Sequence, residues 1–350
     1  MRVALVTTRL DQVHDVDADL PLVIGALQAQ RVEAVPVIWD DQRVDWTSFD
    51  LIVMRSPWDY STRYAEFNDW LDRVSETDRQ FDRPLDRTLD RKADGPAHVR
   101  VVRPAAGLGL GDPIHGMAAA TASTTVKSRV LNCRHVIRWS SDKVYLAELA
   151  RAGVPVVPTS YARSLADVSA AIAAVEAKEV VIKPTVSAGS KDTGRFVADD
   201  PAALLLAQKI LGLGKTVMVQ PSIDSVHSHG ECALLYFDGE FSHAARKGPI
   251  LDLGGGLVGG EYSEAISTVV PDSGEMAVAE AAHSVITNLV CSACDCGSPR
   301  PLYARFDVVK TESGHQLLEA ELFEPAYFLW TSPGASDRFA SAVVRRLPQR

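Results

Sequence analysis

Residues 303–324, YARFDVVKTESGHQLLEAELFE, alternate apolar and polar positions on both sides of Glu312-Ser313-Gly314. Period-two alternation around a short glycine-bearing loop predicts a β-hairpin, because successive strand side chains point to opposite faces. A three-residue loop with Gly314 at its left-handed third position sets the expected register, with Thr311 facing His315, Asp307 facing Glu319 and Arg305 facing Glu321. One face then carries Phe306, Val308, Leu318, Ala320 and Leu322, suited to a core. The other gathers Asp307, Glu319, Glu321 and Arg305 within cross-strand reach.

The same reading places strands at residues 2–7, 34–39, 51–55, 130–132, 179–184 and 216–220, and helices at 19–30, 140–150, 164–177 and 274–290. A second hairpin, 232–245, turns at Asp238-Gly239. Alternating β and α elements at the start predict a doubly wound parallel sheet. Ligands collect at the carboxyl ends of such strands, where Arg55-Ser56-Pro57-Trp58-Asp59-Tyr60 falls. Arg55 there could clamp a carboxylate and Asp59 an amine, with Tyr60 or Trp58 walling the pocket; the aromatic rings packing the next helix is the competing account. Residues 76–129 break the pattern with Asp-Arg repeats and then Gly, Ala, Pro and Thr, which predicts a disordered or loosely packed insertion without an assigned role. Gly107, Gly109 and Gly111 inside it lack the strand and helix of a dinucleotide loop.

Composition narrows the partners. A 350-residue chain with 46% hydrophobic and 23% charged residues can bury a core in two or three domains. Its net charge of -9 argues against a nucleic-acid backbone as partner. No apolar run approaches membrane-spanning length, and MRVALVTTRL reads as a strand rather than a leader, so a cytoplasmic location is expected. The five cysteines form no disulfide framework, and Cys291, Cys294 and Cys296 make a poor structural zinc site without a fourth ligand. The expected partner is a small molecule, with homo-oligomerisation left open.

Three carboxylates on one strand face repel one another unless a cation sits among them. An all-oxygen set suits a hard divalent ion such as Mg²⁺, which usually completes its shell with substrate phosphates. A solvated face balanced by Arg305 and Lys310 is the alternative. Two lysines point to those phosphates. Lys183 ends the buried strand 179–184, where an ammonium is costly without an anion, and Ser187, Gly189 and Ser190 follow with backbone amides that can approach phosphate oxygens. Lys143 falls in the first turn of a helix capped by Ser140 or Ser141, where a bound anion would explain a cation that is otherwise disfavoured; a solvated lysine is the plainer account. The run Gly212-Leu213-Gly214-Lys215-Thr216 imitates a P-loop, but Lys209 stands where the first glycine belongs. Residues 251–260 are glycine-rich enough to close over a substrate. His227, His229 and His243 have no ligand spacing, and Thr7-Thr8-Arg9 after the first strand offers no nicotinamide fingerprint.

Lys143, Lys183, Gln220 and the hairpin carboxylates occur in the order seen in ATP-grasp enzymes, and the chain resembles that superfamily over residues 130–330. The resemblance implies an N-terminal doubly wound substrate domain over 1–75, the insertion over 76–129, and two α+β lobes, 130–225 and 226–345, clasping ATP. It implies that Lys143 and Lys183 hold phosphates, that main chain after Gln220 meets the adenine, and that Asp224 or Glu231 meets the ribose. Asp307, Glu319 and Glu321 would bind one or two Mg²⁺, and Arg305 would steady acyl-phosphate and tetrahedral intermediates. Glu321 stands where many relatives have Asn. The segments MRSPWDY, SHAARKGP and ELFEP resemble a branch of small amino-acid ligases, which implies acyl-phosphate activation of a substrate carboxylate and intramolecular amide-type closure. An intermolecular dipeptide-type ligase and a non-catalytic nucleotide-binding protein are the alternatives.

Overall fold

The computed structural model describes residues 1–9, 17–75, 129–257, 263–294 and 298–348. The insertion expected over 76–129 (Arg129 apart), its glycine triplet, Cys296 and the end of the 251–260 loop lie outside these residues.

Strands β1 (Arg2–Thr7), β2 (Glu33–Ile38), β3 (Leu51–Ser56) and β4 (Val130–Leu131) form a parallel sheet in the order β2-β1-β3-β4. β1 and β3 are nearly continuous apolar runs because both faces of the sheet are covered. Helix α1 (Leu20–Ala29) packs Val23 and Leu27 on Val3 and Leu5, while α2 (Tyr64–Ser75) packs Phe67, Trp70 and Leu71 on Ala4, Val6 and Trp39. The doubly wound expectation therefore holds. β4, which the sequence pattern places at the start of a later lobe, joins this first sheet instead.

The next stretch also differs from expectation. Residues 140–150 are not one helix: α3 (Arg134–Ser140) ends there and α4 (Tyr145–Arg151) starts after a turn. Ser140 and Ser141 close α3 rather than cap α4, since their hydroxyls fold back onto the Ile137 and Arg138 carbonyls. Lys143 is left in the intervening turn. Cys133, Val136, Tyr145, Leu146 and Val156 pack into a core shared with the third sheet.

A second, antiparallel sheet, in the order β5-β8-β6-β7, holds β5 (Ser160–Ala162), β6 (Glu179–Pro184), β7 (Gly194–Val197) and β8 (Val217–Pro221). Helices α5 (Leu165–Ala174) and α6 (Pro201–Gly212) cover it, each started by a side-chain cap: Ser164 accepts from the Asp167 amide and Asp200 from the Ala202 amide.

After α7 (Asp224–His229) comes the third sheet, of β9 (Glu231–Phe237), β10 (Glu240–Lys247), β11 (Ile266–Val269), β12 (Tyr303–Thr311) and β13 (Gly314–Glu321), in the order β11-β10-β9-β12-β13. Helix α8 (Ser273–Ile286) covers one face, meeting Leu234, Phe306 and Ala320. Helix α9 (Ala335–Arg346) covers the other, where Leu235, Tyr303 and Phe339 continue into the core under α1. That shared core ties the first and third sheets together.

The β12–β13 hairpin reaches its register by a different route from the one expected. Its turn has two residues, so Thr311 pairs with Gly314 and Lys310 with His315. A bulge between Asp307 and Val308 then restores the missing residue, leaving Asp307 opposite Glu319 and Arg305 opposite Glu321. The bulge turns Leu317, rather than Leu318, into the core, and Leu317 main chain bonds Pro155 and Val157.

Candidate functional site

The third sheet presents Arg305, Asp307, Glu319 and Glu321 toward the second sheet, and lysines from three other places converge on them. Lys183 arrives at the end of β6, Lys247 at the end of β10, and Lys143 in the turn before α4, where its amide bonds the Thr185 carbonyl at 2.9 Å. Lys143 Nζ lies 3.0 Å from Glu319 Oε1 and donates to the Ser187 carbonyl at 3.1 Å. Lys247 Nζ reaches Glu231 Oε2 and Asp307 Oδ2, both at 2.9 Å, and Glu264 Oε1 at 3.5 Å. Arg305 grips Asp307 through Nε at 2.8 Å and Nη2 at 2.9 Å, and Nη2 also donates to Glu321.

Burial makes these pairings consequential, since an ionised group out of water needs a partner. Burial pushes the Asp307 carboxyl up, but Arg305 and Lys247 outweigh it and hold it well below the usual carboxylate range. Glu319 is likewise lowered, Lys143 and Lys183 overcoming its desolvation. Glu321 is raised by burial and by Glu319 and Asp307 against the pull of Arg305; Glu324 is raised by burial and by Glu321. Lys183 is lowered by burial. It is 9% exposed, and among the described residues no carboxylate lies within 4 Å of its ammonium. A buried cation without a partner beside carboxyls that resist ionising describes a chamber short of both an anion and a cation.

The donor set fits a magnesium nucleotide. Among the described residues, the ion pairs of Glu319 and Glu321 run through Oε1. Asp307, by contrast, has both oxygens in charged contacts. The three do not form a closed cage, however. Among the described residues, the group of acids and histidine whose ligand atoms lie within 4.8 Å of one another is Asp272, Glu275 and His315, at the capping box that starts α8.

Other expected residues are distributed unevenly. Ser187 is buried, with its carbonyl accepting from both Lys143 and Tyr60, and Gly189 and Ser190 follow at φ 57° and 53°, a left-handed pair that turns the loop. Gln220 lies in the β8 ladder with its side chain on Thr159, and Asp224 opens α7, so this connection runs between the second and third sheets. Glu231 is tied to Lys247. Residues 251–257 reach the second sheet, where the Gly254 and Gly255 amides donate to the Arg195 carbonyl at 2.9 and 3.0 Å. Three consecutive glycines at φ between 91° and 94° permit that approach. Lys215 of the P-loop imitation bonds the Ser61 and Val186 carbonyls.

Two substrate candidates need correction. Arg55 is fully buried and holds Asp17 through Nη2 at 2.8 and 3.0 Å and the Pro325 carbonyl through Nη1, with Tyr327 stacked 3.9 Å away, so its guanidinium is not open to a carboxylate. Asp59 accepts from Trp39 Nε1 at 2.8 Å and from Arg63 at 3.1 Å, which leaves it no role as an open amine acceptor. From the sequence alone the loop after β3 reads as a pocket wall because its polar groups have no visible partners; the partners come from residues 17–19, 39, 63 and 325. Tyr60 does face the chamber, against Ser187 and Glu324. The sequence reading missed Lys247, Glu264 and Glu324. Lys247 carried the same signal as Lys183, a lysine closing a buried strand. Cys133 Sγ lies 3.0 Å from Cys294 Sγ, with Cys291 nearby in the chain, while Cys232 lies in β9 opposite Val308.

Comparisons with known proteins agree with this geometry. The profile of the family described as D-cycloserine synthetase DcsG, N-terminal domain, matches residues 3–81. The cycloserine biosynthesis protein DcsG of Streptomyces lavendulae is 32% identical over 341 residues, 95% of either chain. The crystal structure of D-cycloserine synthetase DcsG superimposes with a TM-score of 0.75 at 30% identity, covering 99% of each chain. The RimK domain ATP-grasp protein of Sphaerobacter thermophilus shares the fold at a TM-score of 0.57 and 16% identity, over 98% of this chain and 100% of that one. The charged chamber between two clasping sheets, the doubly wound first sheet and the end-to-end similarity lead to one conclusion: the chain belongs to the D-cycloserine synthetase DcsG family, ATP-dependent ligases of the ATP-grasp fold.

Proposed function

We propose that this enzyme uses Mg²⁺-ATP to activate the carboxylate of O-ureido-D-serine as an acyl phosphate and closes the ring of D-cycloserine, the oxygen-bound ureido nitrogen staying in the ring while the carbamoyl group is lost by hydrolysis, with one water, as CO₂ and ammonia. The observation that carries the reading is Lys183, a buried ammonium without a carboxylate partner, set beside Lys143 and opposite Glu319 and Glu321. An anion is what that position lacks, and the γ-phosphate of ATP supplies one. The family relationship favours the cyclisation, since the relatives carry cycloserine in their names.

The chain's own groups account for the chemistry required. A carboxylate attacking a phosphoryl group brings anions together, so Lys143 and Lys183 neutralise charge as it moves onto the bridging oxygens. Glu319 and Glu321, with Asp307 behind them, would hold Mg²⁺, which supplies Lewis-acid stabilisation when bound. Arg305, fixed by Asp307 and Glu321, lies on the same face to steady the oxyanion of the tetrahedral intermediate. Adenine would lie against main chain after Gln220, with Asp224 or Glu231 toward the ribose and the amides of Ser187, Gly189 and Ser190 toward the phosphates. Water would hydrolyse an acyl phosphate, which gives the glycine-rich loop docked on Arg195 a reason to close the chamber. The nucleophile of a cyclisation is already tethered, so the protein need only fold the substrate into reach.

ADP and phosphate release with Mg²⁺-ATP tests this directly, comparing O-ureido-D-serine alone, its L enantiomer and paired amino acids. Release with the D compound alone, with a ring product in the mass spectrum, is the expected result. Release only with paired amino acids would move the enzyme to the dipeptide-type ligases, and silence under every condition would leave a nucleotide-binding protein.

A further inference from the structure

Resting on the reading above, we propose that Lys215 is a positioning residue that locks the loop after β6, residues 185–190, to the segment after β3, so that nucleotide and substrate tighten one another's binding. The run Gly212-Leu213-Gly214-Lys215-Thr216, which imitates a P-loop in the sequence, is a helix stop in the fold. Gly214 stands at φ 72° beyond the end of α6. Its amide donates to the Leu211 carbonyl at 2.9 Å, and the Lys215 amide donates to the Ile210 carbonyl at 3.3 Å. This paired closure ends the helix and turns the chain into β8. A lysine at that place would ordinarily lie over the last helix carbonyls. Lys215 reaches away from them instead. Its Nζ donates to the Ser61 carbonyl at 2.8 Å and to the Val186 carbonyl at 2.9 Å, the first in the segment after β3 and the second in the loop assigned to the phosphates. Among the described residues no carboxylate lies within 4 Å of this ammonium, so the two neutral carbonyls are what it holds.

Other contacts join the same two segments. The Thr185 amide donates to the Thr216 carbonyl at 3.0 Å, beside Lys215. Val186 is buried in the core that contains Tyr60 and Phe67, and the Tyr60 hydroxyl donates to the Ser187 carbonyl at 3.3 Å. One turn further on, the Tyr64 and Ser141 hydroxyls lie 2.9 Å apart, two residues before Lys143. Residues 60–64 therefore brace both the turn that carries Lys143 and the loop that follows Lys183. Apolar packing alone is non-directional and lets such a loop slide. Two hydrogen bonds from one ammonium fix its register. Register matters here because reacting atoms must come within about 3–3.5 Å, and a misplacement of about 1 Å can cost about 10²-fold. A ligand that seats one side of this bridge favours the seated position of the other, which is the condition for coupled binding.

Calorimetry on the full-length chain tests this with adenylyl imidodiphosphate and Mg²⁺, a non-hydrolysable ATP analogue, titrated with and without saturating O-ureido-D-serine. In the wild type the amino acid should tighten the nucleotide by about 5–150-fold, and the nucleotide should tighten the amino acid by the same factor. Lys215→Met should bring that factor close to one, with the Kd for nucleotide alone and the Tm near their wild-type values. Its kcat with ATP should fall by about 10²-fold. Lys215→Arg keeps donors for both carbonyls and should retain part of the coupling, and Lys215→Gln repeats the test if Lys215→Met fails to fold. The ratio of affinities is the readout that a purely structural lysine would not move. Coupling that survives in Lys215→Met would overturn the proposal, as would a wild type that binds both ligands independently. A lowered Tm with both ligands weakened alike would reduce Lys215 to a structural tie. Wild-type protein that binds the nucleotide but not O-ureido-D-serine would instead remove the substrate reading, and the proposal with it.

Discussion

Two clusters of buried charge lie on either side of the segment that follows the last hairpin, and they are built in opposite ways. Around Arg55, the carboxylates are saturated: Asp17 accepts from Arg55 and from the Asp19 and Leu20 amides, and Asp19 accepts from three consecutive main-chain amides. Around Lys183, the chamber holds Glu231, Glu264, Asp307, Glu319, Glu321 and Glu324 against Lys143, Lys183, Lys247 and Arg305, an excess of acid that still leaves Lys183, among the described residues, with no carboxylate within 4 Å. The first arrangement holds two sheets together. The second is incomplete on its own, as a site awaiting charged ligands must be. Burial of an ionisable group therefore does not by itself mark function; a buried charge with no opposite charge beside it is the stronger sign.

The comparison breaks most sharply in the chamber. Lys183→Met and Glu319→Ala should each abolish ATP turnover, by more than about 10³-fold in kcat. Lys183→Met should do so with an unchanged or raised Tm, since it removes a buried ammonium that has no carboxylate within 4 Å among the described residues. A variant with near-normal turnover would remove the site assignment, and a Tm that falls steeply would show Lys183 to be structural. Arg55→Met should reverse the pattern, costing about 3–5 kcal/mol in denaturant unfolding because Asp17 and Asp19 stay buried without their cation. If Arg55→Met unfolded like wild type but lost substrate affinity alone, the clamp first read from the sequence would be reinstated.

A third prediction concerns His243, in the same clasped region but outside both clusters. Its Nε2 donates to the Tyr327 carbonyl, which can only accept, and its Nδ1 meets the Ser242 hydroxyl. Desolvation lowers its pKa from 6.5 to about 4. Between those values the unfolded chain binds a proton that the folded chain does not, so this contribution is fully present above pH 6.5 and is lost as pH falls toward about 4. The loss amounts to at most about 3 kcal/mol. Unfolding free energies measured from pH 7 to 4 should show this slope, and His243→Gln should flatten it; an unaltered slope in the variant would place the titration elsewhere. The smallest effect is expected at Arg2–Glu33, an exposed pair at 3.0 Å, where Arg2→Gln should change stability by less than about 1 kcal/mol.

Much of this arrangement was legible in the residues. Period-two alternation revealed the β12–β13 hairpin, and its charged face put Asp307 opposite Glu319 and Arg305 opposite Glu321, as the strands pair. That agreement conceals a cancellation, because the two-residue turn shortens the register by one and the bulge adds it back; a bulge stabilised by Pro155 and Val157, some 160 residues away, has no local signature. The helix read over 140–150 failed for a local reason. Serine hydroxyls can cap the helix that follows or bond the carbonyls of the helix that precedes, and the sequence does not choose between them. Arg55 and Asp59 failed for a distant one, since a polar side chain at a strand end looks open until its partner is brought in.

What the sequence determined by itself were the properties carried by neighbours in the chain: strand and helix periodicity, the parallel first sheet, a lysine closing a buried strand, and carboxylates sharing one strand face. What only the tertiary structure decided was which charges would be satisfied. Charge pairing is short-ranged in space and indifferent to separation along the chain, so Arg55 meeting Asp17, Lys247 meeting Asp307, and Lys183 having no carboxylate within 4 Å among the described residues could be learned only after the sheets had been placed against one another.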